Sequence, residues 1–232
     1  MTPIVFASSQ LLTPAVWAPQ TRVLSGREII FADHTRDETI AGMAERLLAA
    51  SPARFHLVAH GMGGFVAFQV MRRAPGRVER LALLATLASA DGPAQTERRR
   101  GYVRLVEDGR FEQVAEERIP MLLAPARRSD EVLTAAVRQM ARDTGPEIFL
   151  RQQRAIMGRQ DSRPTLGNID APTLLLWGDE DGVTAAAHQN EILAGIPGAR
   201  LEILPGCGHL STLEQPERVN ALLAAWLNAD RR

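Results

Sequence analysis

The sequence predicts an α/β protein with about six mostly parallel strands flanked by helices. Short apolar runs alternate with longer helical patterns, the rhythm of βαβ units around a parallel sheet. Most of those runs are near-continuously hydrophobic, as strands buried on both faces must be. The length, 232 residues, suits one domain with a sizeable core.

Strands are expected at Ile4–Ala7, Glu28–Ala32, Phe55–Ala59, Val78–Leu84, Thr173–Trp177 and Arg200–Leu204. Between them, Thr39–Ala50 places Ile40, Met43, Ala44, Leu47 and Leu48 at helical spacing, and Ser51-Pro52 stops it. Phe65–Arg73 continues from the third strand and ends before Pro75-Gly76. Thr184–Ala194 opens on a capping hydroxyl. Pro216–Leu227 opens on a proline suited to a first turn. From Pro93 to Arg163 the rhythm changes to helix alone, rich in Arg, Glu and Gln, with breaks expected at Gly101, Gly109, Pro120, Pro125 and Gly145-Pro146. This predicts a helical cap over residues 93–163, inserted between core segments 1–92 and 164–232.

Lys and Arg number 27, Asp and Glu 27, so formal net charge is zero and neither nucleic acid nor an anionic membrane is an expected partner. Arg98-Arg99-Arg100 reads as a solvated helix face. The opening Met1–Phe6 lacks the pattern of a signal peptide. No uncharged apolar stretch reaches the ~20 residues of a membrane helix. The single cysteine, Cys207, excludes an intramolecular disulfide and reads as a small packed residue, with nothing basic before it to make it a nucleophile. The expectation is a cytoplasmic protein with a small-molecule partner, no cofactor and no metal.

The informative segment is Phe55-His56-Leu57-Val58-Ala59-His60-Gly61-Met62-Gly63-Gly64-Phe65. An apolar strand enters a turn of small residues and leaves as a helix, the context a nucleophile elbow requires. Ala59 and Gly63, two before and two after the turn's centre, let strand and helix nearly touch, and Gly64 permits close helix packing. A dinucleotide-binding turn does not fit: Gly61, Gly63 and Gly64 have the wrong spacing and follow the third strand.

Here the chain resembles the α/β-hydrolase superfamily, in its small esterase-like and epoxide-hydrolase-like branches. Their elbow commonly reads Gly-His-Ser-Met-Gly-Gly; this one reads Ala59-His60-Gly61-Met62-Gly63-Gly64. The resemblance covers nearly the whole chain, from the strand that leads to the oxyanion loop, with the family's first two strands missing. It implies an α/β-hydrolase fold and, by descent, a hydrolase of small, largely apolar esters or related carbonyl compounds. Gly61 stands at the nucleophile position with no side chain, so it cannot form an acyl-enzyme. As glycine it does adopt strained dihedrals without steric cost.

The resemblance places the triad acid after the next-to-last strand. In Gly178-Asp179-Glu180-Asp181 it is Asp181, with Asp179 and Glu180 as solvated loop residues and Asp91 as the alternative acid. It places the histidine after the last strand, at His209 in Gly208-His209, ahead of Glu214-Gln215-Pro216-Glu217. The oxyanion donors are Met62 N–H, after the elbow residue, and Leu11 N–H, with Gln10 where relatives carry glycine. His34 reads as a surface loop histidine and His60 as packing; His56 and His188 carry no signal. Ser8 and Ser9 lie near the expected pocket. Neither is expected to attack, because neither sits on the strained turn.

Three explanations of Gly61 follow: natural divergence, an engineered replacement that inactivates a serine hydrolase, or attack by another group with the Asp181–His209 dyad as general base. The changed oxyanion loop favours divergence. The non-catalytic alternative is a ligand-binding pseudoenzyme that uses the same pocket.

Overall fold

The structure, a computed structural model, describes residues 1–229. Strands β1 (Ile4–Ala7), β2 (Ile29–Phe31), β3 (Phe55–His60), β4 (Val78–Leu84), β5 (Thr173–Gly178) and β6 (Arg200–Leu204) form one sheet in the order β2-β1-β3-β4-β5-β6. Every pairing is parallel. The central β1, β3 and β5 are buried throughout, whereas the edge strands β2 and β6 are largely half-exposed. The expected six parallel strands are therefore present, with full burial confined to those that have neighbours on both sides.

Helices α2 (Ile40–Ala50), α3 (Met62–Arg73) and α7 (Ala186–Gly195) supply one apolar layer, joined by Val5, Leu57 and Leu81 of the strands. The opposite layer joins Ile4, Phe6, Val58 and Leu176 to Trp17 and to Val219, Leu223 and Trp226 of α9 (Pro216–Asn228). The short α1 (Ala18–Val23) and one-turn α8 (Ser211–Glu214) complete that side. Between β4 and β5 lie α4 (Pro93–Glu107), α5 (Phe111–Leu122) and α6 (Glu131–Met157), which share an apolar cluster around Tyr102, Val106, Val114 and Phe149. Leu11 of the β1 loop enters the same cluster. Among the described residues, no helix is long and apolar enough to cross a membrane.

Several boundaries differ from expectation for local reasons. Thr39 caps α2, its hydroxyl accepting from Gly42 N–H at 3.0 Å. Thr184 does not cap α7: its hydroxyl donates to Asp181, and the helix starts at Ala186. Helix α3 begins at Met62, three residues earlier than the apolar pattern indicated, because the chain turns directly from Gly61 into helix. Gly101 and Pro120 lie inside α4 and α5 without ending them. Gly145 (φ 73°, ψ 168°) does break α6 into two segments, as expected.

Parallel pairing sets the carboxyl ends of the strands along one edge: Ala7 pairs with Ala59, His60 with Leu84, and Leu84 with Leu176. The loops after β1, β3, β5 and β6 all leave from that edge. In open α/β sheets this is where ligands bind.

Candidate functional site

Gly61 forms the tight turn between β3 and α3, with φ 52° and ψ −112°. Side chains rarely adopt this backbone, and glycine adopts it freely. Its N–H donates to Leu84 O at 2.9 Å, and its carbonyl accepts from Gly64 N–H at 3.0 Å and from the Thr86 hydroxyl at 2.8 Å. The neighbouring glycines answer to space. A Cβ on Gly63 would lie 2.6 Å from Ala7 C, and one on Gly64 would lie 2.6 Å from Thr86 Cβ. The small residues read from the sequence are thus dictated by the close approach of β1 and of the loop after β4.

His209 faces this turn from the loop after β6. Its Nδ1–H donates to Asp181 Oδ2 at 2.9 Å and Oδ1 at 3.1 Å, and both side chains are buried. Asp181 also accepts from Val183 N–H at 2.7 Å, Thr184 N–H at 3.1 Å and the Thr184 hydroxyl. Burial alone would raise this carboxyl; His209 and the Thr184 and Val183 donors hold it below the ordinary carboxylate value. The carboxylate therefore fixes the imidazole tautomer with its proton on Nδ1, which leaves the Nε2 lone pair directed away from Asp181. Among the described residues Nε2 has no hydrogen-bond partner, and it lies 3.3 Å from where a Cβ on Gly61 would stand.

The space above Gly61 is not vacant. A Cβ there would lie 2.9 Å from Ser9 Cβ and would collide with the Ser9 hydroxyl. Ser9 Oγ accepts from Met62 N–H at 3.3 Å. The other backbone donor singled out from the sequence, Leu11 N–H, donates to Gln152 Oε1 of α6 at 3.2 Å. Leu11, rather than Gln10, carries the left-handed backbone, with φ 60°. A non-glycine residue held there is strained by about 1–3 kcal/mol, and the apolar packing of its side chain against α4–α6 opposes that strain.

Two loops that carry the site are fastened by the end of α5. Met121 O accepts from Gly182 N–H at 3.1 Å, and Leu122 O accepts from His209 N–H at 2.9 Å. Glu214 Oε2 accepts from Ala124 N–H at 2.9 Å and Gly208 N–H at 3.2 Å. The approach is close enough that a Cβ on Gly182 would lie 2.9 Å from Met121 Cα, and one on Gly208 2.7 Å from Leu123 C. The Glu-Gln-Pro-Glu segment was legible in the sequence as a helix start; that its first glutamate braces the histidine loop was not.

Other candidates sort cleanly. Asp91 is engaged elsewhere, with Arg99 at 2.6 Å and Arg159 at 2.8 Å in a buried cluster, so it does not partner His209. Cys207 is buried, and burial pushes its thiol up to about 12, which keeps it packed and unreactive at neutral pH. His60 is buried, donates from Nε2 to His209 O at 2.9 Å and stacks obliquely on that ring at 4.7 Å. His188 Nδ1 accepts from Ala185 N–H at 2.9 Å at the start of α7. His34 is not a surface residue: it is 5% exposed, and among the described residues neither ring nitrogen has a partner. Gln152 of α6, which packs over this loop, donates to His34 O at 3.4 Å. His34, Ser8, Ser9, Leu12, Thr144 and Gln152 border a cavity of about 250 Å³ beyond β1 and β2.

Comparison with known proteins agrees with this architecture. A family model described as the alpha/beta hydrolase family matches residues 5–222. The chain is 30% identical over 198 residues to a dihydrolipoyllysine-residue acetyltransferase component of the acetoin cleaving system of Cupriavidus necator, covering 79% of this chain but only 51% of that protein. It is 26% identical over 208 residues to a 2-hydroxy-6-oxo-6-phenylhexa-2,4-dienoate hydrolase of Comamonas testosteroni, covering 86% of this chain and 72% of that one. A thermophilic esterase from Thermogutta terrifontis superposes with a TM-score of 0.88 at 26% identity over 98% of this chain and 89% of its own. The parallel sheet, the Gly61 turn, the paired Asp181 and His209 and the extent of the family match place this chain in the alpha/beta hydrolase family.

Proposed function

We propose that the protein hydrolyses small, largely apolar esters or related carbonyl compounds, with His209 as general base oriented by Asp181. The observation that carries this reading is the His209 imidazole, bonded through Nδ1 to a buried carboxylate and open at Nε2 toward the turn. A neutral imidazole so held accepts a proton at Nε2 as an oxygen attacks, and Asp181 stabilises the cation that forms. Met62 N–H, at the head of α3, is the donor for the developing oxyanion. The cavity beside Ser9 supports a small substrate, and the unpartnered nitrogens of neutral His34 offer one polar contact in it. Helices α4–α6 serve as the cap, since Gln152 and the end of α5 reach the site loops.

The test is turnover of p-nitrophenyl acetate and butyrate. His209→Ala is expected to lower kcat by ~10²–10⁴, and to lower the melt because it strips the buried Asp181 of a partner, so kcat is read well below the melting range of the variant. Turnover that survives unchanged removes His209 from the chemistry and with it this mechanism.

A second reading, a ligand-binding pseudoenzyme, is favoured by one observation: Gln152 and Ser9 already occupy Leu11 N–H and Met62 N–H. It predicts saturable ligand binding with no turnover, whether or not His209 is present. A single engineered Ser-to-Gly change fits less well. A parent serine at position 61 would have had to share its volume with the Ser9 hydroxyl.

A further inference from the structure

We infer that Ser9 is the nucleophile: the attacking hydroxyl has moved from the turn to the facing loop and occupies the same seat from the other side. This rests on the hydrolase reading and names the group that attacks. The turn offers one volume for a side chain, bounded by Met62 N–H and His209 Nε2. Gly61 leaves it empty, and Ser9 fills it: a Cβ on Gly61 would collide with Ser9 Oγ. Ser9 Oγ already accepts from Met62 N–H at 3.3 Å. Among the described residues its hydroxyl proton has no acceptor and His209 Nε2 has no donor, so an unused donor and an unused acceptor border one methyl-sized space. Ser8 is excluded from the role because its Oγ accepts from Trp17 Nε1–H at 2.9 Å and so is fixed toward the opposite apolar layer.

Access points the same way. Ser9 borders the cavity beyond β1 and β2, whereas Gly61 and His209 do not. A carbonyl compound entering it meets the Ser9 hydroxyl first, with the imidazole behind. A water poised for direct attack at Nε2 would need the volume that Ser9 takes. The strained turn normally lifts its hydroxyl clear of the backbone; here Ser9 reaches the same point from a loop held by the left-handed Leu11 and by Gln152.

The reaction balances without a further reactant. Ser9 Oγ bonds to the ester carbonyl carbon as its proton passes to His209 Nε2, and the carbonyl π pair moves onto oxygen. Met62 N–H, which Ser9 Oγ gives up on attack, then binds that oxyanion. Collapse breaks the carbon–alkoxide bond, and His209 returns its proton to the leaving oxygen, giving an acyl-Ser9. Water, deprotonated by His209, then attacks the acyl carbon, and Ser9 leaves with the proton from His209.

The experiment treats the intact protein with a fluorophosphonate probe, maps the adduct by peptide mass, and follows p-nitrophenyl acetate turnover in parallel. The expected result is one adduct on Ser9, absent in His209→Ala, with turnover lost at least 100-fold in Ser9→Ala. Ser9→Cys should keep the site reactive and shift the adduct to an iodoacetamide label at position 9. Turnover that depends on His209 but persists in Ser9→Ala, with no adduct on Ser9, overturns the inference and leaves the hydrolase reading standing with water as the nucleophile. An adduct on another serine overturns it as well. No adduct and no turnover of any ester in the native protein sinks both readings together.

Discussion

Gly61→Ser alone will lower the melting temperature and will not speed ester hydrolysis, whereas Ser9→Gly combined with Gly61→Ser will recover part of the stability and restore turnover. The single change installs a Cβ where Ser9 Oγ stands and within 3.3 Å of His209 Nε2. Overpacking of this kind costs about 1–3 kcal/mol. The turn adds to it, because φ 52° with ψ −112° holds a non-glycine residue under strain of about 1–3 kcal/mol. For a chain of this size the melt should fall by roughly 4–24 °C.

Removing the Ser9 side chain takes away the first of these terms and keeps the second, so the double variant should recover part of the loss. It also returns a hydroxyl to the turn, facing His209 and Met62 N–H. Ser9→Gly alone should be inactive. The double variant should exceed it by about 10³-fold or more, the scale on which nucleophile loss is felt in serine hydrolases. The cycle thus carries a sign reversal: each single change lowers turnover, and the two together raise it relative to Ser9→Gly. Melting curves and p-nitrophenyl acetate kinetics on the four proteins decide the matter. A Gly61→Ser variant that melts normally and gains activity would mean the two side chains do not compete.

Much of the geometry at this candidate site is marked in the sequence, because its parts are local. The Gly61 turn follows from an apolar strand, a run of small residues and a helix in direct succession. Asp181 and His209 stand at fixed offsets from strand ends. What was not readable involves contacts between distant segments. Ser9 was set aside because it does not sit on the turn, yet the turn's empty volume is equally open to the loop after β1. Gln152 lies about 140 positions from the N–H it occupies, and no local pattern in α6 marks it. Thr184 had the chemistry of a helix cap and is used instead to hold Asp181. Glu214 matched a helix-start pattern and braces the histidine loop. His34 resembled a solvated loop residue because its neighbours Asp33, Thr35 and Arg36 are polar. Only the packing of α6 over that loop buries it.

His34 and His60, two of the buried histidines, set a second expectation, a loss of stability on mild acidification. Burial pushes His34 down to about 4 despite the nearby carboxylates of Asp33 and Asp37. Burial, together with His209, pushes His60 down to about 3, against the pull of the His209 carbonyl and of Asp181. Both rings are therefore neutral in the fold and gain a proton in the unfolded chain below its ordinary value near 6.5. The unfolded state then binds more protons, so the stabilisation is complete above pH 6.5 and is lost as pH falls toward 4 and 3. At 1.36 kcal/mol per pH unit for each group, the loss between pH 7 and pH 5 is on the order of 4 kcal/mol, a large share of the usual 5–15 kcal/mol. The carboxylates held low by their partners, Asp181 and Asp91 among them, lose their contribution only below about pH 4, whereas the Glu214 carboxyl, which burial raises, gains its proton earlier in the fold and offsets part of the histidine loss. Denaturant midpoints between pH 7 and pH 5 should fall steadily in the native protein. In His34→Leu, which takes away one of these titrations, the slope should be shallower. A native protein equally stable at pH 7 and pH 5, or a His34→Leu variant with an undiminished slope, would mean that His34 takes up its proton without leaving the fold.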